Sequence, residues 1–198
     1  MGRKNGPMGT EAVQSFSAIL ALAVLALGLV TLAAVLAPRA GWARGWRAQI
    51  DDSALWLMCA ITTGAMVGSL WFSEHVGYAP CKLCWYQRIA MYSLAFLTFV
   101  AALRRDRGIA PYTIVLASLG LVVSTYHYLL EWWPQLETNV CSVDVPCTAV
   151  WFREYGFVTL CFMAGSAFIA VIALSVMIVR ERTFVDHVPS TSNPTPEA

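Results

Sequence analysis

Residues 80–103 read PCKLCWYQRIAMYSLAFLTFVAAL, and this stretch decides the fold. Its second part, 89–103, is too short by itself to cross a bilayer, whose hydrocarbon core needs a helix of about 20 apolar residues. It reaches that length only if the helix starts near Cys81 and carries Trp85, Tyr86 and Arg88 in the interface. Cys81-Lys82-Leu83-Cys84 then forms the first turn of a membrane-spanning helix. Pro80 suits that position, because the N–H it lacks is unpaired there in any case. The positive end of the helix dipole lowers the pKa of a thiol at such a site and favours the reactive thiolate. Two thiols separated by two residues can cycle between dithiol and disulfide.

Four more apolar stretches surround this one, at roughly 16–37, 54–72, 112–130 and 157–179. The chain is 58% hydrophobic and 13% charged, against about 25% charged in a soluble domain. Lipid offers no water to unpaired backbone groups, so the spans are expected to be helices. The expectation is an all-α integral membrane protein. A four-helix transmembrane bundle would occupy 54–182. A segment 1–53 would add one N-terminal helix at about 16–37 and a basic loop, and a Pro-, Ser- and Thr-rich tail, 183–198, would be disordered. A formal net charge of +1 gives no basic surface for nucleic acid. No glycine fingerprint follows a strand pattern, which argues against nucleotide chemistry.

Basic residues orient the stack. Arg39, Arg44 and Arg47 lie between the first and second stretches, Arg104, Arg105 and Arg107 between the third and fourth, and Arg180 and Arg182 after the last. The positive-inside rule puts all three groups in the cytoplasm. Cys81 and Cys84, and a second pair at Cys141 and Cys147, then fall on the outer face, the side that tolerates disulfides. A cleaved signal peptide is the alternative reading of the first stretch. It would invert that topology, and an additional helix is preferred.

A second pair can pass oxidation to the first by thiolate attack on a disulfide sulfur. The residues therefore read as an integral-membrane thiol oxidoreductase. Two plainer readings stand beside it: a zinc site built from all four cysteines, and static structural disulfides. Arg88 lies four residues after Cys84 on the same helix face, where it either stabilises charge at the redox site or anchors the helix in the interface.

Cys81-Lys82-Leu83-Cys84-Trp85-Tyr86-Gln87-Arg88 resembles the signature of the bacterial DsbB/BdbC disulfide-bond formation proteins. Cys141-Ser142-Val143-Asp144-Val145-Pro146-Cys147 resembles their second pair in its shorter, BdbC-like spacing. Tyr155-Gly156-Phe157-Val158-Thr159 resembles the opening of their last helix. The resemblance runs from about residue 54 to 179, and the N-terminal stretch departs from the family's four-helix plan. It implies a protein of the bacterial cytoplasmic membrane that reoxidises a DsbA-like extracytoplasmic thioredoxin-fold oxidant. Electrons would pass to a membrane quinone, ubiquinone or menaquinone, and no metal is implied. By the same resemblance Cys141 takes the partner's attack, Cys147 exchanges with Cys81, Cys84 faces the quinone, Arg88 assists the quinone, and His127 is similar to a quinone-proximal histidine. A vitamin-K-epoxide-reductase-like protein shares the plan, but there the CxxC follows the loop pair. A non-catalytic module held by zinc or disulfides is the reading from a different class.

Other residues carry plainer expectations. Trp132, Trp133, Trp151 and Phe152 read as an aromatic belt at the headgroups. Gly64 and Gly68, with Ala60, read as a small-residue seam between helices. Glu131 reads as a solvated interfacial acid. Cys59 and Cys161, inside apolar spans, read as small hydrophobes without a redox role.

Overall fold

The computed structural model describes residues 9–137, 141 and 145–186. Among them are six α-helices: α1 (Thr10–Leu36), α2 (Gly41–Ile50), α3 (Ala54–Leu70, continued by a π turn over Trp71–His75), α4 (Lys82–Arg104), α5 (Ala110–Trp132) and α6 (Leu160–Asp186). No strand is present among the described residues, only a single bridge between Glu154 and Val158. All but α2 give candidate spans of 22 to 27 residues, apolar enough to cross a membrane. At a rise of about 1.5 Å per residue, each exceeds the roughly 30 Å of a hydrocarbon core. The expected all-α membrane bundle with one extra N-terminal helix is what folds. The expected disordered tail lies, from residue 187 on, outside the described residues.

The outside of the bundle is as apolar as its inside. Phe96, Leu119 and Val122, in mid-helix, are 67%, 61% and 68% exposed, a surface that only lipid satisfies. Inside, Met58, Leu94, Phe168, Leu174 and Met177 are fully buried. Two hydroxyl pairs cross between helices in this core, Thr62 to Thr98 at 2.9 Å and Thr113 to Ser175 at 2.7 Å. Such bonds contribute about 0.6–2 kcal/mol each in a membrane interior.

Close approach of helices is set by Gly28 and Gly120. A Cβ on Gly28 would stand 2.9 Å from the Ala170 Cα, so α1 and α6 pack almost backbone to backbone; a Cβ on Gly120 would overlap the Phe168 ring. The seam expected at Gly64 and Gly68 is corrected. A Cβ at either would meet nothing within 4 Å. Both line a cavity instead.

The two ends of the bundle differ in chemistry. At one end, Arg47 pairs with Glu181 at 2.6 Å, Arg107 pairs with Asp51, and Arg180 donates to the Val35 carbonyl at 2.7 Å. The short helix α2, placed here by sequence as a basic loop, lies against α1 through a bond from Trp46 Nε1 to Thr31 Oγ1 at 3.2 Å. The opposite end carries both cysteine pairs. Helix α4 begins at Lys82, as the length of its apolar run requires.

Candidate redox site

Cys81 is the N-cap of α4, and its sulfur accepts the backbone N–H of Cys84 at 3.3 Å. The two sulfurs lie 3.0 Å apart. Helix α5 brings His127 against them, with Nε2 3.6 Å from Cys81 Sγ and 3.0 Å from the carbonyl oxygen of Cys147. A carbonyl only accepts, so Nε2 carries hydrogen. The Gln87 amide nitrogen stands 2.9 Å from Nδ1 and donates to it in the neutral ring. The geometry has Cys81 Sγ donating to Cys84 Sγ. When Cys81 loses its proton, the backbone N–H of Cys84 and the adjacent His127 ring stabilise its negative charge. The Cys84 thiol, followed by His127, pulls the Cys81 pKa down to about 4, against the opposing effect of burial.

Cys141 and Cys147 are joined in a disulfide. Cys147 is fully buried and packs in one cluster with Cys81, Leu83 and Leu130, while Cys141 is partly exposed. Two pairs separated by some 60 positions in sequence are thus brought together. With Cys141 and Cys147 joined to each other, the four cysteines do not form a single set of free thiols here. The sulfurs of Cys81 and Cys84 and a nitrogen of His127 do lie within 4.8 Å of one another, a three-donor set.

Aromatic rings roof this end. Tyr78 stacks on Trp151 at 4.8 Å and on Phe72 at 5.9 Å, and Phe72 meets Phe152 at 5.4 Å. Trp151 and Phe152 therefore tie the loop after Cys147 to the segment before Cys81. That goes beyond the expected belt. Trp132 and Trp133 remain exposed at the end of α5, where Arg153 covers the Trp132 ring at 4.1 Å.

Cys84 opens on a cavity of about 330 Å³ bounded by α1, α3, α4 and α6, within the usual size range of a small-molecule site. Its polar groups gather at the cysteine end: Arg88, Gln87 and Ser69. Arg88 Nε donates to Ser69 Oγ at 3.0 Å and Nη2 donates to the Ser69 carbonyl at 3.1 Å. Its Nη1 makes no hydrogen bond among the described residues. Most of the remaining wall is apolar, with hydroxyls from Ser17, Ser73, Tyr78 and Tyr92, and Gly64, Gly68 and Ala60 leave the space.

His127 does not line this cavity. Its ring sits between the two cysteine pairs, on a separate void of about 20 Å³ shared with Cys81, Cys84, Glu131 and Cys161. His127 thus stands beside the Cys81 sulfur and off the wall of the large cavity. Glu131 is not simply solvated: its Oε2 is buried without a hydrogen-bond partner. Cys161 is buried and lines both spaces, whereas Cys59 lies in the core with Sγ 3.9 Å from Thr63 Oγ1. Sequence reasoning passed over Gln87 and Ser69. Gln87 lies inside the quoted signature, one turn after Cys84, which was a usable signal. Ser69 carried none, since its partner Arg88 is on another helix.

Replacing His127 by Phe removes one donor to Cys81 and is expected to raise the thiol pKa from its value of about 4. The thiolate exists above that pKa, so less of it remains in mildly acidic buffer. Ultraviolet thiolate absorbance of reduced protein, corrected with Cys81→Ser, measures the midpoint. An unmoved midpoint would leave His127 a packing residue.

The family model described as disulfide bond formation protein DsbB matches residues 51–176. The probable disulfide formation protein of Oceanobacillus iheyensis is 42% identical over 120 residues, 60% of this chain and 83% of that protein. The probable disulfide formation protein C of Halalkalibacterium halodurans is 42% identical over 119 residues, 60% of this chain and 87% of that protein. Disulfide bond formation protein C of Bacillus subtilis is 36% identical over 131 residues, 66% of this chain and 93% of that protein. No solved structure gives a significant match.

Proposed function

The chain belongs to the disulfide bond formation protein DsbB family, multi-pass membrane disulfide oxidoreductases, and on that premise we propose that it reoxidises a DsbA-like thioredoxin-fold dithiol and delivers the electrons to a membrane quinone. The bundle end with the cysteines faces outward from a bacterial cytoplasmic membrane, and the arginine-rich end faces the cytoplasm.

The partner's thiolate attacks Cys141, the more exposed sulfur of its pair. The Cys141–Cys147 bond breaks and Cys147 leaves as a thiolate. The partner's second thiol displaces Cys141 and departs as a disulfide. Cys147 then attacks Cys81 of an oxidised Cys81–Cys84 pair, releasing the Cys84 thiolate. Cys141 attacks Cys147, which re-forms the second disulfide and frees Cys81. Two electrons now rest on the first pair. Cys81 and Cys84 would rejoin as a disulfide by giving those two electrons and two protons to a quinone held in the cavity, which would leave as quinol.

One observation carries this reading: Cys147 and Cys81 share a buried cluster, and Cys84 at its edge also lines the large cavity. One pair is thereby reachable by a protein and the other by a lipid-soluble carrier. The roles follow: Cys141, Cys147, Cys81 and Cys84 form the relay, Arg88 holds the quinone oxygen, and His127 steadies the Cys81 thiolate.

Purified full-length protein, mixed with a reduced thioredoxin-fold oxidant and either a ubiquinone or a menaquinone analogue, tests it. Quinone absorbance should fall in step with partner disulfide formed, one quinone for each disulfide. Partner oxidation with no quinone consumed under anaerobic conditions would exclude quinone as the acceptor.

A further inference from the structure

We propose that helix α1 is a wall of the quinone cavity, and that its Ser17, Leu20, Ala21 and Val24 face holds the hydrocarbon tail of the carrier. The proposal rests on the quinone reading above and extends it to a segment that lies before the matched family region, which begins at residue 51.

Those four residues stand at i, i+3, i+4 and i+7, a single stripe of one helix. All four line the cavity, across from the small-residue face of α3 at Ala60, Gly64 and Gly68. The cavity is chemically divided. Arg88, Gln87, Ser69, Ser73, Tyr78 and Tyr92 supply most of its hydrogen-bonding groups, together with the Ser17 hydroxyl at the cysteine end of the α1 stripe. The deeper walls from Leu20 and Val24 to Ile61 and Gly64 offer no side-chain donor or acceptor. A ligand with a polar ring and an apolar tail matches both parts in one orientation, ring at Cys84 and tail between α1 and α3.

The wall is fixed rather than loosely apposed. Gly28 seats α1 on Ala170 of α6, and Arg180 donates to the Val35 carbonyl at its far end. At the cysteine end Ser15 donates to Glu154 at 3.2 Å, and the Gln14 amide donates to the Tyr78 hydroxyl at 2.7 Å. Tyr78 lines the same cavity three residues before Cys81. α1 is therefore tied to the strand of chain that leads into the redox pair, which keeps the width of the cavity constant at its reactive end.

The test compares Val24→Trp with Ala23→Trp in the full chain. Ala23 is exposed on the neighbouring face of α1, so it controls for added bulk in the same helix. Two probes are used, a benzoquinone with an alkyl tail and the same ring without one. Val24→Trp should raise the KM for the tailed quinone about tenfold or more, with little change for the bare ring and none in thiol exchange at Cys141. Ala23→Trp should match wild type throughout. Equal kinetics in the two variants, with an active wild type, would remove α1 from the site and leave the quinone reading intact. A wild type inactive on both quinones would instead sink that reading. Should Val24→Trp fail to accumulate, wild-type protein decides: a photoreactive tailed quinone should label the 17–24 peptide, and unlabelled quinone should compete it away. Labelling confined to α4 would overturn the wall.

Discussion

Cys84→Ser should abolish quinone reduction, lowering turnover by at least about a thousandfold, as loss of a reacting sulfur does in covalent catalysis. Exchange of the Cys141–Cys147 disulfide with the reduced partner should continue. The split follows from where the sulfurs stand. Of the first pair, Cys84 is the one that lines the large cavity, while Cys81 shares a buried cluster with Cys147. Cys141→Ser should give the opposite half: no exchange with the partner, and a Cys81–Cys84 pair that still titrates against quinone. Stopped-flow quinone absorbance and gel-trapped mixed disulfides read the two halves separately. Normal quinone turnover in Cys84→Ser would show the carrier accepting electrons from another sulfur, and Cys161, which lines the same cavity, would be next to test.

Arg88→Gln should raise the KM for quinone about 10- to 100-fold while partner exchange at Cys141 stays near wild type. That range corresponds to one charge-assisted hydrogen bond of about 1.5–3 kcal/mol. Arg88 is held in place by two bonds to Ser69 of α3, and its guanidinium carbon lies 5.4 Å from the Trp85 ring centre. Those bonds use Nε and Nη2 and leave Nη1 for a ligand oxygen in the cavity. They also join α3 to α4 across the cavity mouth. Arg88→Lys keeps the charge and loses the planar fork, so it should recover only part of the lost affinity. Ser69→Ala separates positioning from charge: it should weaken quinone binding less than Arg88→Gln does. An interfacial anchor would tolerate all three changes, and wild-type KM values in the Gln variant would return Arg88 to that role.

Much of this was legible in residue order. The apolar runs fixed the number of spans, because each must reach across a hydrocarbon core. The shortness of 89–103 forced α4 to start at the CxxC, which made Cys81 a helix cap and gave it the N–H of Cys84. The arginine clusters assigned the two ends, and both cysteine pairs fell at one end, as the fold has them.

The faces of the helices were not legible. In a soluble helix, alternation between apolar and polar residues marks the buried side. Lipid is as apolar as the core, so that contrast vanishes here, and Gly64 and Gly68 read equally well as a seam or as a cavity wall. The packing of α3, α4 and α6 with α1 decided for the wall. The same packing set His127 against Cys81 and the Cys147 carbonyl and away from the large cavity, with α5 seated on α6 where Phe168 meets Gly120. The partners Ser69 and Arg88, Gln14 and Tyr78, and Cys147 and Cys81 are each distant in sequence. Residue order determined which chemical groups this protein has and which of them share an end of the bundle. Only the tertiary packing decided which groups touch, because that choice is made by the shape of neighbouring helices and not by hydropathy.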